Sequence, residues 1–180
     1  MSLLEFAKSL DSTSLSTTFK SISWIVPVVQ SVHILMVGVV FVSIMMISLR
    51  VLDRVRADEP LAQVWHRFAP FLWTGLVVMV VTGVLLVIAE PVREIMTLSF
   101  RLKMLLLVVC VVSAAAFGRV MRNAVAAAGA EPKLPSGLRM TAVVTLVLWV
   151  AIIFLGRAIA YDDSVWGNWS PAVLQRGGAI

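Results

Sequence analysis

The sequence predicts an all-α integral membrane protein: a four-helix bundle in a single domain over residues 1–180, with a short interfacial helix at its N-terminus. Three observations predict it. Hydrophobic residues make up 60% of the chain, mean hydropathy is +0.98, and only 14% of residues are charged, where a soluble domain carries roughly a quarter. The apolar residues gather into four runs, each long enough to cross about 30 Å of hydrocarbon at 1.5 Å per residue. Short polar connections separate those runs, with no internal repeat and no linker between domains.

Residues 1–22 are polar and mixed. Leu3, Leu4, Phe6, Ala7 and Leu10 fit one short amphipathic helix at the interface, and the Ser/Thr run from Ser12 to Thr18 reads as loop. A long polar lead before a full-length apolar run, with no small-x-small cleavage site after it, is not the pattern of a signal peptide. The first span is expected from about Trp24 to Leu49, with Pro27 in its first turn, where a missing N–H costs little. The second is expected from about Phe71 to Ala89, the third from about Leu102 to Gly118, and the fourth from about Met140 to Tyr161. Pro60 and Pro70 bracket LAQVWHRFA, read as a segment lying flat at the interface. Residues 90–101 read as a short connection. In the tail, Trp166 and Trp169 suit an interfacial anchor.

The net charge of +5 and the isoelectric point near 10.1 orient loops here and do not call for nucleic acid. Eight of the fifteen Lys and Arg residues fall in two loops, residues 50–68 and 119–139. The positive-inside rule places both loops in the cytoplasm and both termini outside, in the periplasm of a bacterial inner membrane. Cys110 is the single cysteine, which excludes an intramolecular disulfide and a thiolate cluster. No nucleophile–base pair, phosphate loop, CxxC, HExxH or carboxylate dyad appears, so no residue is assigned a catalytic role.

The function argument centres on His33, in the stretch SVHILMVG of the first span. A titratable side chain inside hydrocarbon is costly and is kept for a partner or a cofactor. His33 lies roughly 14 Å below the outer boundary, counted from Trp24. Lys103 begins the third span on that same side, Glu90 ends the second, and Arg157 lies near the end of the fourth. Each helix thus supplies a polar group to one half of the bundle, where facing one another or a bound group lowers the cost of burial. His66 falls beyond Arg50, roughly 25 Å along the helix from His33, so the two histidines of one chain cannot share a metal ion.

Each candidate has a purely structural alternative. His33 could satisfy itself on a backbone carbonyl or on Gln30, and Lys103 could be a snorkelling anchor at a helix end. Arg157 follows Gly156 and would suit a carboxylate, either that of a bound group or that of Asp162. His66 beside Arg67 reads as a solvated interfacial side chain. Met36 and Met104 are the methionines placed to act as soft ligands. Gly75 and Gly83, with Thr82 beside the second, form one flat face for close approach.

Four stretches, SVHILMVGVVFVSIMMISLR, RFAPFLWTGLVVMVVTGVLL, SFRLKMLLLVV and GRAIAY, resemble an uncharacterised family of short four-helix bacterial membrane proteins. They cover most of residues 24–161. The arrangement also resembles the bacterial membrane protoporphyrinogen oxidase and the copper-resistance D type of membrane protein, both four-helix groups. The oxidase resemblance implies a b-type haem held through the first-helix histidine, here His33, with Lys103 in the place of that family's lysine. On it, His33 and Lys103 would be the metal ligands, or Lys103 and Arg157 would hold propionates, and Gly75 and Gly83 would let the haem or a neighbouring helix come close. Lysine ligates iron only as the neutral amine. The expected role is electron transfer or haem-linked redox chemistry, with a redox partner protein or quinone, and a homo-oligomer is left open. Two alternatives stand beside it: a non-catalytic subunit packed against a larger membrane complex, and a copper-handling protein using His33 with Met36 or Met104.

Overall fold

The structure is a computed structural model, and it describes residues 2–127 and 137–172. The Ala/Gly/Pro-rich part of the loop expected over 119–139 lies outside the described residues. Four helices are long and apolar enough to cross a membrane, and the chain is a multi-pass membrane protein. Among the described residues there is no strand.

Two short helices come first. α1 (Leu3–Asp11) opens with a capping box, in which the Ser2 hydroxyl accepts from the Glu5 N–H and the Glu5 carboxylate from the Ser2 N–H. Both satisfy donors that every helix start leaves open. α2 (Ser14–Ser21) occupies the Ser/Thr run, which is therefore not a loop. Thr13 caps it by accepting from Ser16 N–H, and Thr17 and Thr18 turn their hydroxyls back onto carbonyls one turn earlier. Side chains that compete with the backbone when isolated here serve the helix.

The first span, α3 (Ile25–Val51), agrees with the expected range to within two residues at each end. The second, α4 (Leu61–Ala89), begins ten residues earlier than expected, because LAQVWHRFA is its first two turns and more. Pro70 sits inside α4. It removes one ladder bond, yet the buried positions Leu61, Val64, Trp65, Ala69, Leu72, Leu76 and Met79 keep a helical spacing straight through it. Packing of that face outweighs the lost bond. The turn after Pro70 is tightened by Thr74, whose hydroxyl donates to the Pro70 carbonyl.

The connection after α4 holds a further short helix, α5 (Pro91–Met96), started by Pro91 at its first position. The third span, α6 (Leu98–Ala127), is longer than expected at both ends. The fourth, α7 (Leu138–Ala158), continues as a 3-10 turn over Ile159–Tyr161 and then α8 (Asp162–Trp166).

The spans form an incomplete ring in the order α4, α3, α7, α6, in which α4 and α6 touch least. α3 and α4 are antiparallel and cross closely: a Cβ built on Gly75 would meet Val40 Cγ2 at 2.7 Å. The core runs along the ring's inside through Val40, Ile44, Leu72, Cys110, Trp149 and Ile152. Outward positions such as Val77, Leu105, Val112 and Phe154 are large, apolar and exposed, as contact with lipid requires. The ends of the bundle differ in chemistry. At the Arg50 end, Arg50 and Arg139 both reach Asp53, and Arg56 and Arg67 both reach Glu59. At the other end, α1, α5 and α8 gather around the half of the bundle that holds His33.

A candidate site at the His33 end of the bundle

His33 projects from α3 toward α4, where Gly83 leaves room for it: a Cβ on Gly83 would lie 3.5 Å from His33 Cε1. Its Nδ1 is 2.8 Å from Thr82 Oγ1. The Thr82 hydroxyl has one proton, and the Val78 carbonyl, 2.7 Å away, takes it. Thr82 therefore accepts from His33 Nδ1–H. The Met79 carbonyl is a second acceptor in reach of the ring. With the Thr82 proton committed to the Val78 carbonyl, the hydroxyl's lone pairs face Nδ1–H, the tautomer in which Nε2 keeps its lone pair. Of the structural alternatives drawn from the sequence, the backbone carbonyl is present as that of Met79, while Gln30 gives way, among the described residues, to Thr82 of the neighbouring helix.

Lys103 projects from α6 toward α7. Its Nζ would lie 3.5 Å from a Cβ at Gly156, so Gly156 makes the room that the ammonium stem uses. Lys103 is half-buried and forms no hydrogen bond or ion pair among the described residues. Its charge is within electrostatic reach of His33 and of Glu94. Glu94 is a residue that the sequence reading missed. It lies in α5, outside the spans, where burial holds its carboxyl above the usual range against the opposing pull of Lys103 and Arg93. Only its placement on α5, across from the start of α6, brings it to Lys103; spacing along the chain carries no such signal.

The other expected members sit elsewhere. Arg157 is exposed and gives a hydrogen bond of 3.3 Å to the Tyr161 hydroxyl, its guanidinium 5.3 Å from that ring's centre. Asp162 does not serve Arg157. It is 3% exposed and caps α6 from a distance in sequence, accepting from Leu98 N–H, Ser99 N–H, the Ser99 hydroxyl and the Ser170 hydroxyl. Trp166 adds a bond of 2.8 Å to Ser99 Oγ. Glu90 pairs with Arg93 rather than facing His33. Gly75 receives Val40 and Gly83 receives His33, so both glycines of the flat face are used by α3. Met36 packs against the core, Met104 is exposed, and His66 is exposed near the opposite end of α4.

The site thus offers an imidazole held at Nδ1 by Thr82, an amine without a bonded partner among the described residues, and one carboxyl. Among the described residues no group of three or more His, Cys, Asp or Glu side chains could hold a metal ion. No curated protein and no solved structure matches the chain. Over residues 5–162, from α1 through all four spans to the aspartate that caps α6, the chain matches, and belongs to, a family of unknown function (DUF6644).

Proposed function

We propose that the chain is a membrane haem protein of the b type, serving electron transfer or haem-linked redox chemistry at the His33 end of the bundle. The observation that carries this reading is the hold on His33: its Nδ1 is engaged by Thr82 of the neighbouring helix, and with Thr82 as the acceptor Nε2 keeps its lone pair. An imidazole held by a hydrogen bond at its far nitrogen is oriented as a ligand. The donor set also fits. A bare ion of zinc or copper needs three or four protein donors, which this end does not assemble, whereas a porphyrin brings four nitrogens of its own and needs one or two axial donors.

In this reading His33 would hold the haem iron. Lys103, which has no bond of its own among the described residues, would be a second ligand or a propionate partner. Arg157, taken by Tyr161, is left out of the site. When bound, the haem supplies one-electron chemistry. The protein's part is to fix the imidazole through Thr82, exclude water with the surrounding apolar side chains, and set the local charge with Lys103 and Glu94. The order of His33 and Lys103 along the chain, which resembles the membrane protoporphyrinogen oxidase, agrees with this assignment. The positive-inside count at the Arg50 end supports a periplasmic position for the site.

An absorption spectrum of the detergent-purified protein, oxidised and then reduced with dithionite, tests the reading. A Soret band and a reduced α-band are expected in the wild type and are lost in His33→Ala. A colourless wild type that stays folded after haem supplementation would overturn it, and would favour the packing-subunit alternative.

A further inference from the structure

In the half of the bundle nearer Arg50, a cavity of about 40 Å³ with mostly apolar walls lies between all four spans. The ring of spans is open between α4 and α6, which touch least. Trp65 of α4 and Phe117 of α6, both walls of the cavity, meet across that gap with ring centres 5.3 Å apart. α6 is the loosest wall: 6% of its apolar stretch is buried, against 22–28% in the other three spans. Each span also sets an arginine within two residues of a wall residue: Arg50 before Val51, Arg67 after Trp65, Arg119 after Phe117 and Arg139 after Leu138.

The protein neutralises this rim only in part. Asp53 is shared by Arg50 and Arg139, and Glu59 by Arg56 and Arg67. Arg54 and Arg119 form no ion pair among the described residues. Among the side chains described at this end, six arginines meet three carboxylates, a net charge of +3. An apolar crevice under a cationic rim suits an amphiphile with an anionic head. A free phosphate would leave the crevice empty, and a zwitterionic lipid would leave the charge. A second copy of the chain, docked through this face, would set arginines against arginines. One water-sized group needs roughly 10–15 Å³ of such space, so the cavity takes about two or three methylenes of a chain whose remainder lies in the α4–α6 gap.

We propose that this face binds one anionic phospholipid, its phosphate among Arg67, Arg119 and Arg139 and one acyl chain in the gap between α4 and α6, pressed into the cavity. Those three arginines are exposed. Arg50 is buried and already held by Asp53 and by the Glu59 carbonyl, so it shapes the rim and does not meet the lipid. Basic pockets between membrane helices hold anionic head groups by the same charge attraction. The site lies at the opposite end of the bundle from His33 and is independent of whether haem binds.

The test places the full chain in phosphatidylcholine nanodiscs that carry a small fraction of lipid brominated along its acyl chain. Bromine quenches a tryptophan that it touches, and the Trp65 share of the emission is the difference between wild type and Trp65→Phe. Quenching of Trp65 is expected at a several-fold lower fraction of brominated phosphatidylglycerol than of brominated phosphatidylcholine. The double variant Arg119→Gln, Arg139→Gln should lose that preference, since each arginine near a head group is worth roughly fivefold. Ala114→Leu, which fills the crevice from α6, should abolish the quenching with every arginine in place. Equal quenching by the two lipids overturns the proposal. So does quenching unchanged in Ala114→Leu, which would show a diffuse shell of lipid, or quenching lost when two copies share a disc, which would make the second copy the occupant. If Trp65→Phe fails to fold, native mass spectrometry of the wild type and the arginine double variant decides it: phosphatidylglycerol should be retained by the first and lost from the second, and equal retention overturns the proposal.

Discussion

In both helix pairs of the bundle a titratable side chain lies against a glycine of the neighbouring helix: His33 of α3 against Gly83 of α4, and Lys103 of α6 against Gly156 of α7. The outcomes differ. His33 finds a hydroxyl next to its glycine and is fixed by it. Lys103 finds none among the described residues and is left with electrostatic neighbours. The helices around them differ in the same sense. α3 and α4 make the most extensive pair and cross at Gly75, while α6 and α7 meet over a smaller surface. A glycine notch therefore admits a polar side chain into a membrane bundle but does not position it. Positioning takes a second residue that bonds it. The α3–α4 pair is the fixed half of the site, and the α6–α7 pair is the adjustable half.

The largest expected effect breaks the close crossing of the fixed half. A methyl at Gly75 would overlap Val40 Cγ2, at 2.7 Å, and valine in a helix has one strongly preferred rotamer and cannot swing clear. Gly75→Ala should lower stability by about 1–3 kcal/mol, read as an earlier melting transition in detergent. Adding Val40→Ala should recover most of the loss. An unchanged transition in Gly75→Ala would mean that α3 and α4 do not cross this closely.

Thr82→Val isolates what the hydroxyl adds to the notch. If His33 is an axial ligand, losing the group that orients it should weaken haem retention by roughly 10–100-fold, measured by competition with apomyoglobin. Lys103→Gln should cost less, because no bond holds Lys103 in place. Equal losses from the two substitutions would erase the distinction between the halves.

The adjustable half is secured at its end instead. Asp162 gathers the free N–H groups of Leu98 and Ser99 and the hydroxyls of Ser99 and Ser170. Loss of a helix cap costs about 1–2 kcal/mol, so Asp162→Ala should destabilise by that order, and hydrogen exchange should speed up in the first turn of α6 before the spans open. By contrast, a methyl at Gly156 would touch Lys103 Nζ at an ordinary 3.5 Å. Gly156→Ala should change stability by no more than about 1 kcal/mol, with helix propensity favouring the alanine. A large loss there would show that α6 and α7 depend on a close crossing after all.

Hydropathy alone places the four spans, since each crossing demands its own apolar run. Counting residues along those runs also brings His33 and Lys103 to one end. What eluded the sequence depends on how helices pair. Thr82 becomes the partner of His33 only through the register of α3 against α4, and nothing in the spacing of 33 and 82 encodes it. Asp162 caps a helix that begins 64 residues earlier, so a search for caps near each helix start passes over it. Pro70 marks a boundary in sequence logic, yet a buried face on both sides carries the helix through. The Ser/Thr run before Ser21 reads as loop because such residues compete with the backbone, and it is helical because Thr13 supplies the cap. Arg157 was matched to Asp162 by charge, and Tyr161, one turn away on the same helix face, takes it instead.

The smallest effect separates Lys103's neighbourhood from that of His33 by pH. Burial holds the Glu94 carboxyl above the usual range, and the charges of Lys103 and Arg93 hold it down. Between the ordinary glutamate value and this raised one, the folded chain keeps a proton that the unfolded chain has released. Stability must therefore fall as pH rises through that window. Denaturation of the full chain in detergent over a pH series should show the fall in the wild type and a flatter profile in Glu94→Gln, the two converging at low pH, where Glu94 is protonated in both states. Lys103→Gln should move the window upward, because it removes one of the charges that hold the carboxyl down. A window that stays in place would mean that Lys103 does not reach Glu94, and would leave the lysine as an isolated cation in its glycine notch.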